Sequence, residues 1–135
     1  DTDIEIEKKV GKNINLIFNE YGEDYFREIE EEVCLKVLEY DNCIISMGGG
    51  SIINFKIRNV IKKNSFSIYL KVSRDILIKR LNKSKKRPLL NDKNKEDVIN
   101  TLYQKRKIFY EKADLIIQNN DEKKDIINQI RNNIQ

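Results

Sequence analysis

The stretch Cys43-Ile44-Ile45-Ser46-Met47-Gly48-Gly49-Gly50-Ser51-Ile52-Ile53 decides how this chain is read: a short apolar run that stops in three consecutive glycines. A strand buried on both faces that ends in a turn of bare backbone is how open α/β sheets present a ligand-facing edge. Three glycines in a row lose much backbone entropy on folding. Their presence points to positive-φ geometry, to a partner pressed against the chain, or to an ordinary surface turn.

Outward from residues 43–47, the pattern alternates. Ser51 to Lys63, with Phe55, Ile57, Val60 and Ile61, reads as a loop and then a helix. Phe66 to Val72 reads as the next strand, and Ser73 as the cap of a helix reaching Leu81. Asp114 to Gln118 supplies a third strand, and Asn119-Asn120-Asp121 leads into a closing helix with Ile126, Ile127, Ile130 and Ile134. Strand, helix, strand, helix predicts a parallel, layered α/β fold. Toward the start of the chain, Phe26, Ile29, Val33 and Val37, with Leu38 beside them, recur at helical spacing and predict a long helix with one buried stripe. Before it, Asn13 caps a shorter helical piece that breaks at Tyr21-Gly22. A first short helix over Ile4 to Lys9 ends near Gly11, with Asp3 near its start.

Four features carry candidate chemistry, each beside an ordinary structural role. Asp1 and Asp3 are either solvated terminal carboxylates or a pair held close to a cation. Arg27 sits among Glu23, Asp24, Glu28, Glu30, Glu31 and Glu32, so it is either a surface ion-pair partner or a site residue. Arg106 lies beside the apolar stripe of a helix carrying Val98, Ile99, Leu102, Phe109 and Ala113, where it either snorkels or projects into a polar cleft. Residues 82–95 lapse into a polar, basic run around the one proline of the chain, which is long for a plain connection. Leu89 and Leu90 directly after Arg87-Pro88 favour a flap, with the two leucines anchoring a closed state.

Composition narrows the class. A chain of 135 residues with 39% apolar content fits one modest domain, 1–135. The balance of 26 Lys plus Arg against 22 Asp plus Glu suits an anionic partner. Both signs are mixed, however, and no basic block or aromatic platform marks a nucleic-acid binder. With no histidine, imidazole catalysis is excluded and the usual zinc sites are disfavoured. Cys34 and Cys43 form neither a disulfide framework nor a CxxC pair, and no apolar run approaches a bilayer span. The expectation is a soluble, cytoplasmic protein in a reducing compartment, with no membrane and no nucleic-acid partner.

In order along the chain stand Asp1-x-Asp3, Gly22-Glu23-x-x-Phe26-Arg27-x-x-Glu30, Gly48-Gly49-Gly50, Arg87-Pro88-Leu89-Leu90 and Arg106-x-x-x-Tyr110-x-x-Ala113. This series resembles shikimate kinase, and the resemblance runs over essentially the whole chain. It implies a P-loop kinase-like fold, a three-layer parallel sheet sandwiched by helices with strand order 2-3-1-4-5. It also implies ATP-dependent phosphorylation of the 3-hydroxyl of shikimate by a monomer using ATP and Mg2+, with residues 82–95 as the lid. By resemblance Asp3 binds the shikimate hydroxyls and takes the proton of the attacking one, and Asp1 helps hold Mg2+ through water. Arg27 and Arg106 clamp the substrate carboxylate, and Gly48, Gly49 and Gly50 form the backbone cradle. Arg87 reaches the transferring phosphate, and Arg80 packs near the nucleotide base. The chemistry is consistent: a small anionic polyol calls for a rigid guanidinium fork at one end and acceptors with open backbone at the other.

One element of that family is not in the sequence. No G-x-x-x-x-G-K-[ST] run occurs, and the three glycines cannot stand in for it because no Lys-Ser/Thr follows. The family places this run before the acidic pair. The expectation is therefore a chain lacking strand 1 and its phosphate loop, inactive alone or completed by a partner segment. Other readings remain beside the kinase of shikimate: another small-metabolite kinase of the gluconate type, and a noncatalytic fragment that binds substrate or a basic nucleic-acid-binding module.

Overall fold

The computed structural model describes residues 1–82, 95–119 and 123–134. These fall into two compact units, Asp1–Ser65 and the part of the chain beginning at Phe66.

In the first unit local chemistry sets the helix ends. The Asp1 carboxylate accepts from the N–H of Asp3 (2.9 Å) and Ile4 (3.4 Å) and so caps α1, Thr2–Val10. Asn13 does the same for α2, Ile14–Val37, through the N–H of Leu16 at 2.9 Å. The break expected at Tyr21-Gly22 is present as a kink inside α2: Gly22 has φ 82° and ψ 175°, a conformation that glycine alone adopts readily. The stripe along α2 is buried on two sides. Phe26 and Val33 pack with Ile6 of α1 and Ile17, with the rings of Phe18 and Phe26 4.5 Å apart. One step around the helix, Cys34 and Leu38 pack with Ile57 of α3, Phe55–Asn64, and with Ile45 and Met47 at the edge. Each fully buried aliphatic or aromatic side chain contributes roughly 1.5–3 kcal/mol, so these two clusters hold α1 and α3 against α2.

Residues 43–47, expected as a buried strand, are not one. Among the described residues the segment joins no strand ladder, and the Thr2 N–H donates to its Ser46 carbonyl at 2.9 Å. Ile44 is fully exposed, and only Ile45 and Met47 turn toward the core. A strand is defined by the ladder on either side of it, and the described residues bring no second strand to this one. The run ends in the glycine turn, followed by a 3-10 turn over Ser51–Ile53.

The second unit carries the parallel pairing. β1, Ile68–Lys71, and β2, Leu115–Gln118, pair in parallel with Ile68 opposite Leu115 and Lys71 opposite Gln118. Both lie inside the expected stretches. Two parallel strands need a long crossover, and here it holds α4, Arg74–Asn82, and α5, Lys95–Tyr110. α6, Lys123–Ile134, packs on β2, with Ile117 and Ile126 buried. Asp114 fastens the start of the sheet: its carboxylate accepts from both the N–H (2.8 Å) and the hydroxyl (2.6 Å) of Ser67.

Candidate active site

The first unit brings four of the sequence-predicted residues together. Asp3 enters from the first turn of α1, Arg27 from α2, and Gly48 and Gly50 from the turn after residues 43–47. Their closeness is measured by what a side chain on either glycine would meet. A Cβ on Gly48 would lie 3.0 Å from Asp3 Oδ1 and 3.2 Å from Glu30 Oε1. A Cβ on Gly50 would run into the Arg27 guanidinium, 2.8 Å from Nη2 and 2.9 Å from Cζ. Gly50 itself has φ −88°, an ordinary value, so the glycine is required there by the arginine resting on it and not by the backbone.

Arg27 is held from two sides of its own helix. Its Nη1 donates to Glu30 at 2.6 Å and its Nη2 to Glu23 at 3.1 Å, one turn away in each direction. Glu30 is 3% exposed, which distinguishes this pair from a solvated surface bridge. Burial works against the Arg27 charge, but the carboxylates of Glu30 and Glu23 outweigh it and raise the guanidinium above its ordinary value. The arginine is thus both ion-paired, as its acidic neighbourhood suggests, and seated on the glycine turn.

Three residues of this site escaped the sequence reading of roles. Glu30 was visible in the spacing Arg27-x-x-Glu30, but its burial was not. Thr2 and Ser51 are 1% and 2% exposed and gave no periodic signal. The Gly48 carbonyl accepts from Ser51 through both its N–H (3.1 Å) and its hydroxyl (2.7 Å), while the Gly48 N–H donates to Thr2 Oγ1 at 3.1 Å. Behind the site, burial and then the Glu30 and Asp3 carboxylates push the Cys34 thiol up to about 12, so it stays protonated and inert.

The other expected site residues are distributed as follows. Asp1 is exposed, and its Oδ1 caps α1. Among the described residues no three His, Cys, Asp or Glu side chains converge as a metal cage. Gly49 lies within the turn. Arg80 and Arg106 belong to the second unit. Arg80 donates to the Asn119 carbonyl at 3.4 Å, and Arg106 has a buried Nε with no hydrogen-bond partner among the described residues. A buried guanidinium N–H without an acceptor is costly, and an anionic ligand is one way to satisfy it. Arg87 and almost all of the 82–95 segment lie outside the described residues.

The site of the first unit therefore offers a carboxylate acceptor and a guanidinium held against a glycine turn, groups that suit a small molecule with hydroxyls and an acid group. The family model described as shikimate kinase matches residues 1–135. Shikimate kinase of Bartonella quintana is 39% identical over 129 residues, covering 96% of this chain and 61% of the relative. That of Clostridium botulinum (strain 657 / Type Ba4) is 44% identical over 133 residues, covering 97% and 78%. This chain thus spans about three fifths of the Bartonella relative it matches. Among solved structures, shikimate kinase from Acinetobacter baumannii in complex with shikimate superposes with a TM-score of 0.89 at 29% identity, over 98% of this chain and 77% of that one. Shikimate kinase from Aquifex aeolicus does so at 0.85 and 31%, over 98% and 78%. The fold is that of these kinases.

Proposed function

Because the chain belongs to the shikimate kinase family, we propose that it serves the ATP-dependent phosphorylation of the 3-hydroxyl of shikimate, with residues 1–65 gripping the sugar-like acid. The observation that carries this reading is the contact of Arg27 with Gly50, where a Cβ would run into the guanidinium, and of Asp3 with Gly48, where a Cβ would stand only 3.0 Å from Oδ1. A guanidinium and a carboxylate converge there on bare backbone, and the relative solved with shikimate has the same fold.

In this reading Arg27 and Arg106 pair with the substrate carboxylate, two guanidinium forks fixing one planar acid. Gly48, Gly49 and Gly50 let the ring approach the backbone. Asp3 accepts a hydrogen bond from the 3-hydroxyl and takes its proton as the oxygen attacks the γ-phosphorus. The bond from that phosphorus to the bridging oxygen breaks, and ADP leaves. Arg87 of the lid, residues 82–95, faces the transferring phosphoryl group, and Arg80 lies by the nucleotide. Asp1 would hold Mg2+ through water, and the ion would supply charge neutralisation to the phosphate groups. Closure of the lid keeps out water, the competing acceptor.

Binding is the decisive readout, since the sequence holds no G-x-x-x-x-G-K-[ST] run. Calorimetric titration with shikimate should show a single site that weakens in both Arg27→Ala and Arg106→Ala while the fold is retained. Wild-type affinity in either variant would remove that residue from the clamp. Absence of shikimate binding, with salt-dependent binding to random oligonucleotides, would replace the reading altogether.

A further inference from the structure

We propose that Thr2, the residue between the two carboxylates of Asp1-Thr2-Asp3, is a positioning residue whose hydroxyl sets Asp3 against the glycine turn. The inference deepens the shikimate-binding reading and rests on it for its affinity arm only.

The geometry is a splint. Thr2 is 1% exposed and lies at the first position of α1. Its N–H donates to the Ser46 carbonyl at 2.9 Å, its hydroxyl donates to the same carbonyl at 3.3 Å, and that hydroxyl accepts from the Gly48 N–H at 3.1 Å. A hydroxyl has one donor and two acceptor positions, so a single side-chain oxygen here spans two groups that are two residues apart in the opposing segment. The peptide entering Gly48 is thereby tied to Thr2. The peptide leaving Gly48 is tied to Ser51, whose N–H and hydroxyl both reach the Gly48 carbonyl. Both peptide planes around Gly48 are fixed before the chain reaches Gly49 and Gly50.

The other end of the splint is equally fixed. Asp1 caps α1 through the Asp3 and Ile4 N–H groups, so the Asp3 backbone follows directly from where Thr2 is docked. The hydroxyl therefore couples Asp3, at 3.0 Å from where a Gly48 Cβ would stand, to the turn on which Arg27 rests. Valine at position 2 keeps the shape and the N–H bond to Ser46 but leaves the Gly48 N–H without its acceptor. That peptide then turns to find another partner, carrying the cradle with it. An error of about 1 Å in a positioned group is enough for large functional losses.

The test uses Thr2→Val, Thr2→Ala and Thr2→Ser, with two readouts: shikimate affinity by calorimetry and hydrogen exchange of the Gly48 amide by NMR. The expected result is a dissociation constant raised about tenfold or more in the two hydroxyl-free variants and held within about threefold in Thr2→Ser. The Gly48 amide is protected in the wild type and Thr2→Ser and exchanges rapidly in Thr2→Val, with amides of α3 unchanged. Unchanged affinity in Thr2→Val, or an equally protected Gly48 amide, overturns the proposal. Unfolding of both hydroxyl-free variants also overturns it, since the hydroxyl is then an element of stability and not of position. If the wild type does not bind shikimate, the functional reading fails while the exchange of Gly48 still decides the role of Thr2.

Discussion

Gly50→Ala separates the site from the fold more cleanly than any other single change. At φ −88° and ψ −24° alanine is conformationally permitted, and the shorter list of unfolded conformations stabilises the native chain by about 0.4–1 kcal/mol. The cost falls on Arg27. With Nη2 at 2.8 Å and Cζ at 2.9 Å from the new Cβ, the guanidinium must back away by about 1 Å to reach ordinary carbon contact distance. A shift of that size breaks its 2.6 Å bond to Glu30. The arginine is the far end of a flexible side chain, so it yields without disturbing α2, and loss of its charge-assisted bond to the buried Glu30 carboxylate costs about 1.5–3 kcal/mol. The gain offsets only part of this cost, so stability in urea should fall by about 0.5–2.5 kcal/mol. Shikimate affinity has no such offset. A misplaced guanidinium forfeits a charge-assisted contact of about 1.5–3 kcal/mol, or roughly 10- to 150-fold in Kd. Calorimetry on the folded variant measures this directly. Wild-type affinity in Gly50→Ala would refute the argument that this glycine exists to seat Arg27.

Three further outcomes follow from the same structure. Gly22→Ala places a side chain in open space but on a backbone at φ 82°, ψ 175°, so a stability loss of about 1–3 kcal/mol in urea is expected from strain alone, and a neutral result would show that the kink relaxes. Iodoacetamide at pH 8 should label Cys43, which is exposed, and spare Cys34, which is buried and has its thiol pushed up to about 12; two rapidly labelled thiols by mass spectrometry would contradict this. The Ser67 hydroxyl and N–H hold the Asp114 carboxyl below its ordinary value, so its contribution is fully present above pH about 3.9 and is lost as pH falls through the lower folded value. Asp114→Asn should therefore flatten the acid limb of the stability profile relative to the wild type, and an unchanged limb would count against the Ser67 contact.

The helices were legible because their ends are local. Asp1 and Asn13 cap the residues that follow them, and Gly22 breaks the helix where it stands, with no distant partner required. The strands at 68–71 and 115–118 were legible because apolar runs between helices announce a parallel pair. Residues 43–47 carry the same apolar signal, yet among the described residues they join no ladder, and Ile44 is in solvent. Composition reports that a run could be a strand, and pairing is a property of two segments. The site divides in the same way. Asp3, Arg27 and the three glycines stood out by residue type and received their site roles from the resemblance to the family, whereas the parts played by Thr2, Ser51 and buried Glu30 were not legible, because a hydroxyl that spans two peptides leaves no period in a sequence.

By itself, then, the order of residues determined the family, the helix boundaries and which side chains could grip an acid bearing hydroxyls, since capping, helical spacing and side-chain chemistry act over a few positions. Tertiary structure decided that Arg27 rests on Gly50, that Asp3 and Glu30 close on Gly48, and that Thr2 joins residues 46 and 48 to α1. Those contacts bring together residues eighteen or more positions apart, and only the packing of α1 and the glycine turn around α2 sets how close they come.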